Sequence, residues 1–247
     1  MCDLFALSAP GSYSAAASLP LFAARGRSNV HGWGIGFFRN QRPVVEKSRE
    51  KVFADGRLHG SFQRLARVVA SPIILAHIRY KSSGKVDECH AHPFSLNFWG
   101  QDWLFAHNGK APAIESYRSS GQPLLEAESD SARAFEFLRD CFTAAASRRW
   151  QTSCHQVFKE TLSRLLREYP GEYNILLTNG SFLWAFTNHR QFFLLKGSLK
   201  LEQALLLTTI EEGLSPENWL KIAAAPGGGK ILLIAGGDLL LVEDLLS

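Results

Sequence analysis

Cys2 follows the initiator methionine directly, and aminopeptidases clear Met1 when the second side chain is as small as cysteine's. Removal of Met1 would leave a thiol and a free α-amino group on one residue. The thiol has a reference pKa of about 8.5 and the α-amine one of about 7.7 to 8.0. A nucleophile and a general base then come together, an N-terminal counterpart of a serine–histidine pair. A cysteine in this position also fits a frayed chain start, so the chemistry must be sought further along. Three later groups can supply it. Arg79 ends the apolar run Ile73–Tyr80, where a buried charge needs a partner. Asn108-Gly109 ends the apolar run Trp103–His107. It reads either as a hairpin turn or as a side-chain amide and a backbone N–H aimed at an oxyanion. Asp130 opens a helix, where it or Ser129 can act as the N-cap.

Other candidate sites carry less. Cys89, His90 and His92 are metal-ligand types, but neighbours rarely chelate one ion and no second pair matches them. No metal or other cofactor is expected, and His92 reads as a structural or substrate-loop histidine. The run His31–Phe38 alternates Gly with large apolar residues, as in a strand that another backbone approaches closely. It lacks the helix and acidic partner of a dinucleotide fingerprint. Pro226–Lys230 lacks phosphate-loop spacing and reads as a turn.

These groups need elements to hold them. With 247 residues, 46% hydrophobic and 20% charged, the chain can bury a substantial core. Leu4–Leu7 reads as a buried strand and Ser12–Arg25 as a helix capped by Ser12 or Ser14, with Pro20 bending or dividing it. Strands are expected at Trp33–Phe38, Arg42–Lys51, Ile73–Tyr80, Phe94–Phe98 and Trp103–His107. Helices are expected within Leu58–Val69, briefly at Ala113–Tyr117, and at length over Ala132–Ala146 and Thr152–Tyr169. Tyr173–Thr178, Phe182–Thr187, Phe192–Lys196, Leu205–Thr209 and an Ile231–Val242 hairpin close the chain, with a loop or short helix at Leu214–Leu220. Strands at both ends and helices between them suggest packed sheets with helices outside, in one domain over residues 1–247.

Net charge is +4, and the pairs Arg148-Arg149 and Arg25-Gly-Arg27 read as solvated faces, so no nucleic-acid partner is expected. Four widely spaced cysteines suggest no disulfide framework. With no signal-peptide pattern and no apolar run of about 20 residues, a membrane is not expected and the cytoplasm is the default compartment.

Taken in order, these motifs resemble the class II glutamine amidotransferases, which are N-terminal nucleophile hydrolases. The likeness rests on Met1-Cys2, His31–Phe37, Ala76–Arg79, Ser82–Gly84, His92–Phe94, Phe105–Gly109 and Ser129–Ser131. It covers about the whole chain and looks most like the stand-alone YafJ-like and EgtC-like branch. The resemblance implies an α+β fold, a four-layer αββα sandwich of two antiparallel sheets. It implies that Cys2 attacks the side-chain amide of glutamine or a γ-glutamyl compound through a thioester. It assigns the oxyanion to Asn108 and Gly109, the substrate carboxylate to Arg79 and the substrate ammonium to Asp130, with Ser82 and His92 in the substrate loop. The implied role is a glutaminase subunit handing ammonia to a separate synthase. Its alternatives are a self-contained γ-glutamyl amide hydrolase and a non-catalytic binding module retaining the fold. Asp3, His31, Tyr80-Lys81 and His90 depart from the usual residues and leave the amide and the acceptor open.

Overall fold

Short runs rich in Leu, Ile and Phe become strands, and the two long stretches with helical periodicity become helices. The computed structural model describes residues 1–119, 124–146, 153–196, 203–210 and 219–245. In chain order it contains β1 (Asp3–Ser14), α1 (Leu19–Ala23), β2 (Trp33–Arg39), β3 (Arg42–Ser48), β4 (Phe53–Ala54), β5 (Arg57–Leu58) and α2 (Gly60–Val68). Then come β6 (Ala70–Ile78), β7 (Phe94–Phe98), β8 (Gln101–Asn108), α3 (Asp130–Ala146) and α4 (Cys154–Glu168). The last strands are β9 (Asn174–Thr178), β10 (Leu183–Thr187), β11 (Phe192–Lys196), β12 (Leu205–Thr208), β13 (Leu220–Ile222), β14 (Gly229–Ala235) and β15 (Asp238–Leu245).

The strands form a seven-stranded sheet ordered β13-β11-β12-β1-β6-β2-β3 and a six-stranded sheet ordered β15-β14-β10-β9-β8-β7. Pairings in both are antiparallel. Leu4, Ala6, Leu75, Leu104, Ala106, Leu176 and Leu207 fill the layer between the sheets. Phe5, Leu7, Trp33 and Ile74 pack with Phe22 of α1 and Phe62 of α2 on the outer face of the first sheet. Phe105, Tyr173 and Trp184 pack with Phe135 and Phe142 of α3 and Phe158 of α4 outside the second. The architecture is the expected αββα sandwich. Because β1 is covered on both faces, its first residues read as an unbroken apolar run rather than an alternating one.

Several boundaries differ from the sequence reading. Ser12–Arg25 is not one helix. β1 runs on to Ser14, and only five residues of α-helix and a 3-10 turn at Ala24–Arg27 follow. Ser12 and Ser14 therefore cap nothing, and Pro20 sits in the first turn of α1, where its missing N–H is harmless. The two-residue strands β4 and β5 and the three-residue β13 are too short to leave a periodic signal. Arg148-Arg149 and most of Leu214–Leu220 lie outside the described residues. Gly34 behaves as expected of a strand glycine under close approach. A Cβ there would stand 2.1 Å from the carbonyl oxygen of His92, in the segment leading to β7. Among the described residues, no helix is long and apolar enough to cross a membrane.

Candidate active site

The two sheets bring their strand ends together on one side of the sandwich. In the first sheet, β1 and β6 pair Asp3 with Ile78, which leaves Cys2 and Arg79 as the next residues of adjacent strands. The Cys2 Sγ lies 3.2 Å from both the N–H and the carbonyl oxygen of Tyr80, accepting from one and able to donate to the other. In the second sheet, β8 ends at Asn108, which pairs with Asn174 of β9. Asn108-Gly109 is thus a strand end facing the other sheet and not a hairpin turn. Asn108 Nδ2 donates to the Cys2 carbonyl oxygen, tying the two sheets together at this point. Gly109 has φ +153°, and a Cβ on it would lie 1.9 Å from the Glu172 carbonyl oxygen.

One pocket is lined by Cys2, Arg79, Ser82, His92, Asn108, Gly109 and Asp130. All the candidate residues from the sequence therefore meet. Arg79 is only 4% exposed. Its Nη2 donates to the Ser83 carbonyl oxygen at 3.1 Å. Its buried Nη1 has no hydrogen-bond partner in the described residues, nor does the buried Oδ1 of Asn108. Unpaired buried polar atoms are rare and expensive, and both of these belong to residues that line this pocket. Asp130, at the start of α3, accepts from the N–H of Ala111 at 3.0 Å and of Ser131 at 2.7 Å. Ser129 is the residue that caps the helix, its Oγ accepting from the Ala132 N–H at 3.2 Å.

Burial pushes the Cys2 thiol up to about 11, although the Tyr80 backbone hydrogen bond and the Arg79 charge pull the other way. With Met1 in place, the thiol is therefore protonated at neutral pH. His77 and His107 line the same pocket, and neither was singled out from the sequence. The His77 and His92 rings lie 4.3 Å apart, centroid to centroid. Burial holds His77, His92 and His107 below the usual histidine range. His107 Nε2 donates to the Glu172 carbonyl oxygen at 3.1 Å, which leaves Nδ1 to accept from Ser131 Oγ at 2.8 Å. The potential metal ligands of the sequence do not converge: Cys89 bonds Glu126 and His90 bonds Asp87.

The largest omission of the sequence reading is the brace behind the nucleophile candidate. Asp3 is completely buried. Its carboxylate accepts from Asn29 Nδ2 at 2.6 Å, Arg25 Nε at 3.3 Å, Arg190 Nη1 at 3.0 Å and Thr209 Oγ1 at 3.3 Å. Arg25 is thus an ion-pair partner and not a solvated face. Arg190 Nη1 also donates to the Cys2 carbonyl oxygen at 3.0 Å, and Nη2 to the Thr209 carbonyl oxygen at 3.2 Å. Arg190 is itself held by Asn174, through its N–H at 2.9 Å and its carbonyl oxygen at 2.6 Å. A carboxylate directly after the cysteine was the one local sign of this brace.

The sequence model of the family described as Glutamine amidotransferases class-II matches residues 1–206. YafJ of Escherichia coli (strain K12) is 28% identical over 194 residues, covering 75% of this chain and 72% of that protein. The gamma-glutamyl-hercynylcysteine sulfoxide hydrolase of Mycobacterium tuberculosis (strain CDC 1551 / Oshkosh) is 33% identical over 107 residues, 43% of this chain and 42% of that enzyme. The matched stretch thus spans less than half of the mycobacterial protein. Among solved structures, a predicted glutamine amidotransferase from Pseudomonas aeruginosa superposes with a TM-score of 0.63 at 20% identity, over 97% of this chain and 100% of that one. That likeness bears on the fold.

Proposed function

Since the chain belongs to the class II glutamine amidotransferases, we propose that it opens the γ-amide of glutamine or of a γ-glutamyl compound, with Cys2 as the nucleophile once Met1 is removed. The whole chain then acts as one catalytic unit. The observation that carries this reading is the unpaired, buried Nη1 of Arg79 in the same lining as Cys2 and the Asp130 carboxylate. An α-amino acid presents a carboxylate and an ammonium a fixed distance apart. A buried guanidinium and a buried carboxylate are what would bind that end. The substrate carboxylate replaces the Ser83 carbonyl on Arg79 and completes a two-pronged pair. The substrate ammonium donates to Asp130, whose remaining lone pairs are unclaimed by Ala111 and Ser131.

The amide then lies over Cys2. The thiol proton passes to the α-amine of Cys2, and Sγ attacks the amide carbon. The remaining Nδ2–H of Asn108 and the N–H of Gly109 take the oxyanion, each such donor contributing about 2.7 to 4 kcal/mol to the barrier lowering. The C–N bond breaks, and the departing nitrogen takes the proton from the α-ammonium. Water hydrolyses the thioester to glutamate and restores the thiol. No cofactor enters these steps.

The self-contained hydrolase is the reading favoured here, because a relative sharing 33% of 107 residues carries the name of a γ-glutamyl hydrolase. Family membership supports the second reading, delivery of ammonia to a separate synthase. Mass spectrometry of the purified protein should show a chain beginning at Cys2. A diazo-ketone analogue of glutamine should label Cys2 and spare Cys89, Cys141 and Cys154. Retention of Met1 in active protein, or labelling at another cysteine, would remove the mechanism. Glutaminase activity that rises sharply with a co-purifying synthase would favour the second reading.

A further inference from the structure

We infer that His189 forms a subsite for the leaving amine of N-substituted γ-glutamyl amides, in space that Met1 fills before its removal. The inference rests on the hydrolase reading above and deepens it. In that chemistry the amine departs with a proton from the α-nitrogen of Cys2. Proton transfer requires the departing nitrogen within hydrogen-bond reach of that atom, or one water away. In the unprocessed chain the same α-nitrogen carries Met1. A departing amine that approaches the α-nitrogen along the direction of the former Met1–Cys2 bond extends its substituent into the space that Met1 holds.

The structure shows what lines that space. The Met1 sulfur lies 3.5 Å from His189 Nε2. On the other side of the ring, His189 Nδ1 is 3.6 Å from Glu172 Oε1. Glu172 is fixed to the active-site edge, because its N–H donates to the Lys110 carbonyl oxygen at 2.9 Å and its own carbonyl oxygen accepts from His107. His189 directly precedes Arg190, which holds the Cys2 carbonyl. Residue 189 is therefore held one position from a residue that contacts Cys2. Met1 is 54% exposed, so its removal opens this side to solvent and leaves room for substituents of different sizes.

The chemistry selects the substrate class. Glutamine releases ammonia, which has no substituent to reach His189. A γ-glutamyl dipeptide releases an amino acid whose carboxylate can accept from His189 Nε2. The class assigned is a γ-glutamyl amide of an amine bearing a hydrogen-bonding acid group.

The test compares kcat/KM of the processed protein for glutamine, γ-glutamylmethylamide and γ-glutamylglycine, in wild type, His189→Ala and His189→Gln. Wild type should prefer γ-glutamylglycine to the methylamide. His189→Ala should lower kcat/KM for γ-glutamylglycine at least tenfold more than for glutamine, as expected for a hydrogen bond to a charged group. His189→Gln, which keeps a donor, should recover part of that ratio. A ratio unmoved within twofold by His189→Ala overturns the subsite. So does a wild-type enzyme that hydrolyses glutamine but neither substituted amide, and in that case the amide-hydrolase reading stands. Hydrolysis of none of the three overturns both.

Discussion

Gly109 shows how little latitude the site leaves to single residues. Its backbone lies at a positive φ that side chains resist, and the Glu172 carbonyl oxygen occupies the place of a Cβ. Gly109→Ala must move either residue 109 or the segment carrying Glu172. The first displaces the proposed oxyanion donor, and the second disturbs the acceptor of His107. We expect kcat to fall by about 10² to 10³ with KM little changed, the signature of an interaction made in the transition state. Steady-state kinetics on glutamine measure this, and a loss under threefold would place the oxyanion elsewhere. Arg79 teaches the complementary lesson. A buried polar atom without a partner is a defect in the free protein, and under the proposed reading the unpaired Nη1 of Arg79 becomes a fitted contact with the substrate carboxylate.

At the scale of elements, the start of β1 is the point where distant parts of the chain converge. Asp3 gathers Arg25 and Asn29 from the segment after α1, Arg190 from the β10–β11 connection and Thr209 from the end of β12. Asp3→Ala removes the buried carboxylate that Asn29 and two arginines share. Breaking a buried ion pair costs about 3 to 5 kcal/mol. Arg25 and Arg190 keep side-chain exposures of 30% and 22% and are partly rehydrated, which favours the lower end. Urea unfolding should show a loss of about 3 kcal/mol, and a loss under about 1 kcal/mol would mean that the brace is redundant. This convergence also explains what the sequence revealed and what it hid. The runs Ile73–Ile78 and Phe192–Lys196 are visible as strands because their burial is written in consecutive residues. Cys2, Arg79, Asn108-Gly109 and Asp130 stand out as candidates because each ends or opens such a run, while their proposed roles come from the family resemblance. The Asp3–Arg190 pair spans 187 positions, and neither residue is unusual among its neighbours. The length of β1 was hidden for another reason: Ala and Leu at residues 15–23 suit a helix, and that preference spread over the Ser12–Ser14 strand end.

At the scale of the whole molecule, the space between the sheets ends in three buried histidines, His77, His92 and His107. Both ring nitrogens of His77 lack partners among the described residues. Burial depresses all three in the folded state, so the unfolded chain binds more protons below its own histidine pKa of about 6.5. Stability is therefore fully present above about pH 6.5 and declines as the pH falls toward the folded-state values. The slope is as much as about 1.4 kcal/mol per pH unit for each histidine. Urea titrations between pH 8 and pH 5 should show a plateau and then this decline, and flat stability across that range would contradict the burial of neutral rings. The topology also sets an order of events. β1 has β6 on one side but must wait for β12 on the other, with Phe5 paired to Thr208. Synthesis at about 5 to 20 residues per second separates those two strands by roughly 10 to 40 s. Until then the nascent amino terminus has at most β6 beside it and lacks its Thr209 anchor. If Met1 is removed as proposed, that stage gives the aminopeptidase its most open access to it, before β12 closes the sheet beside it.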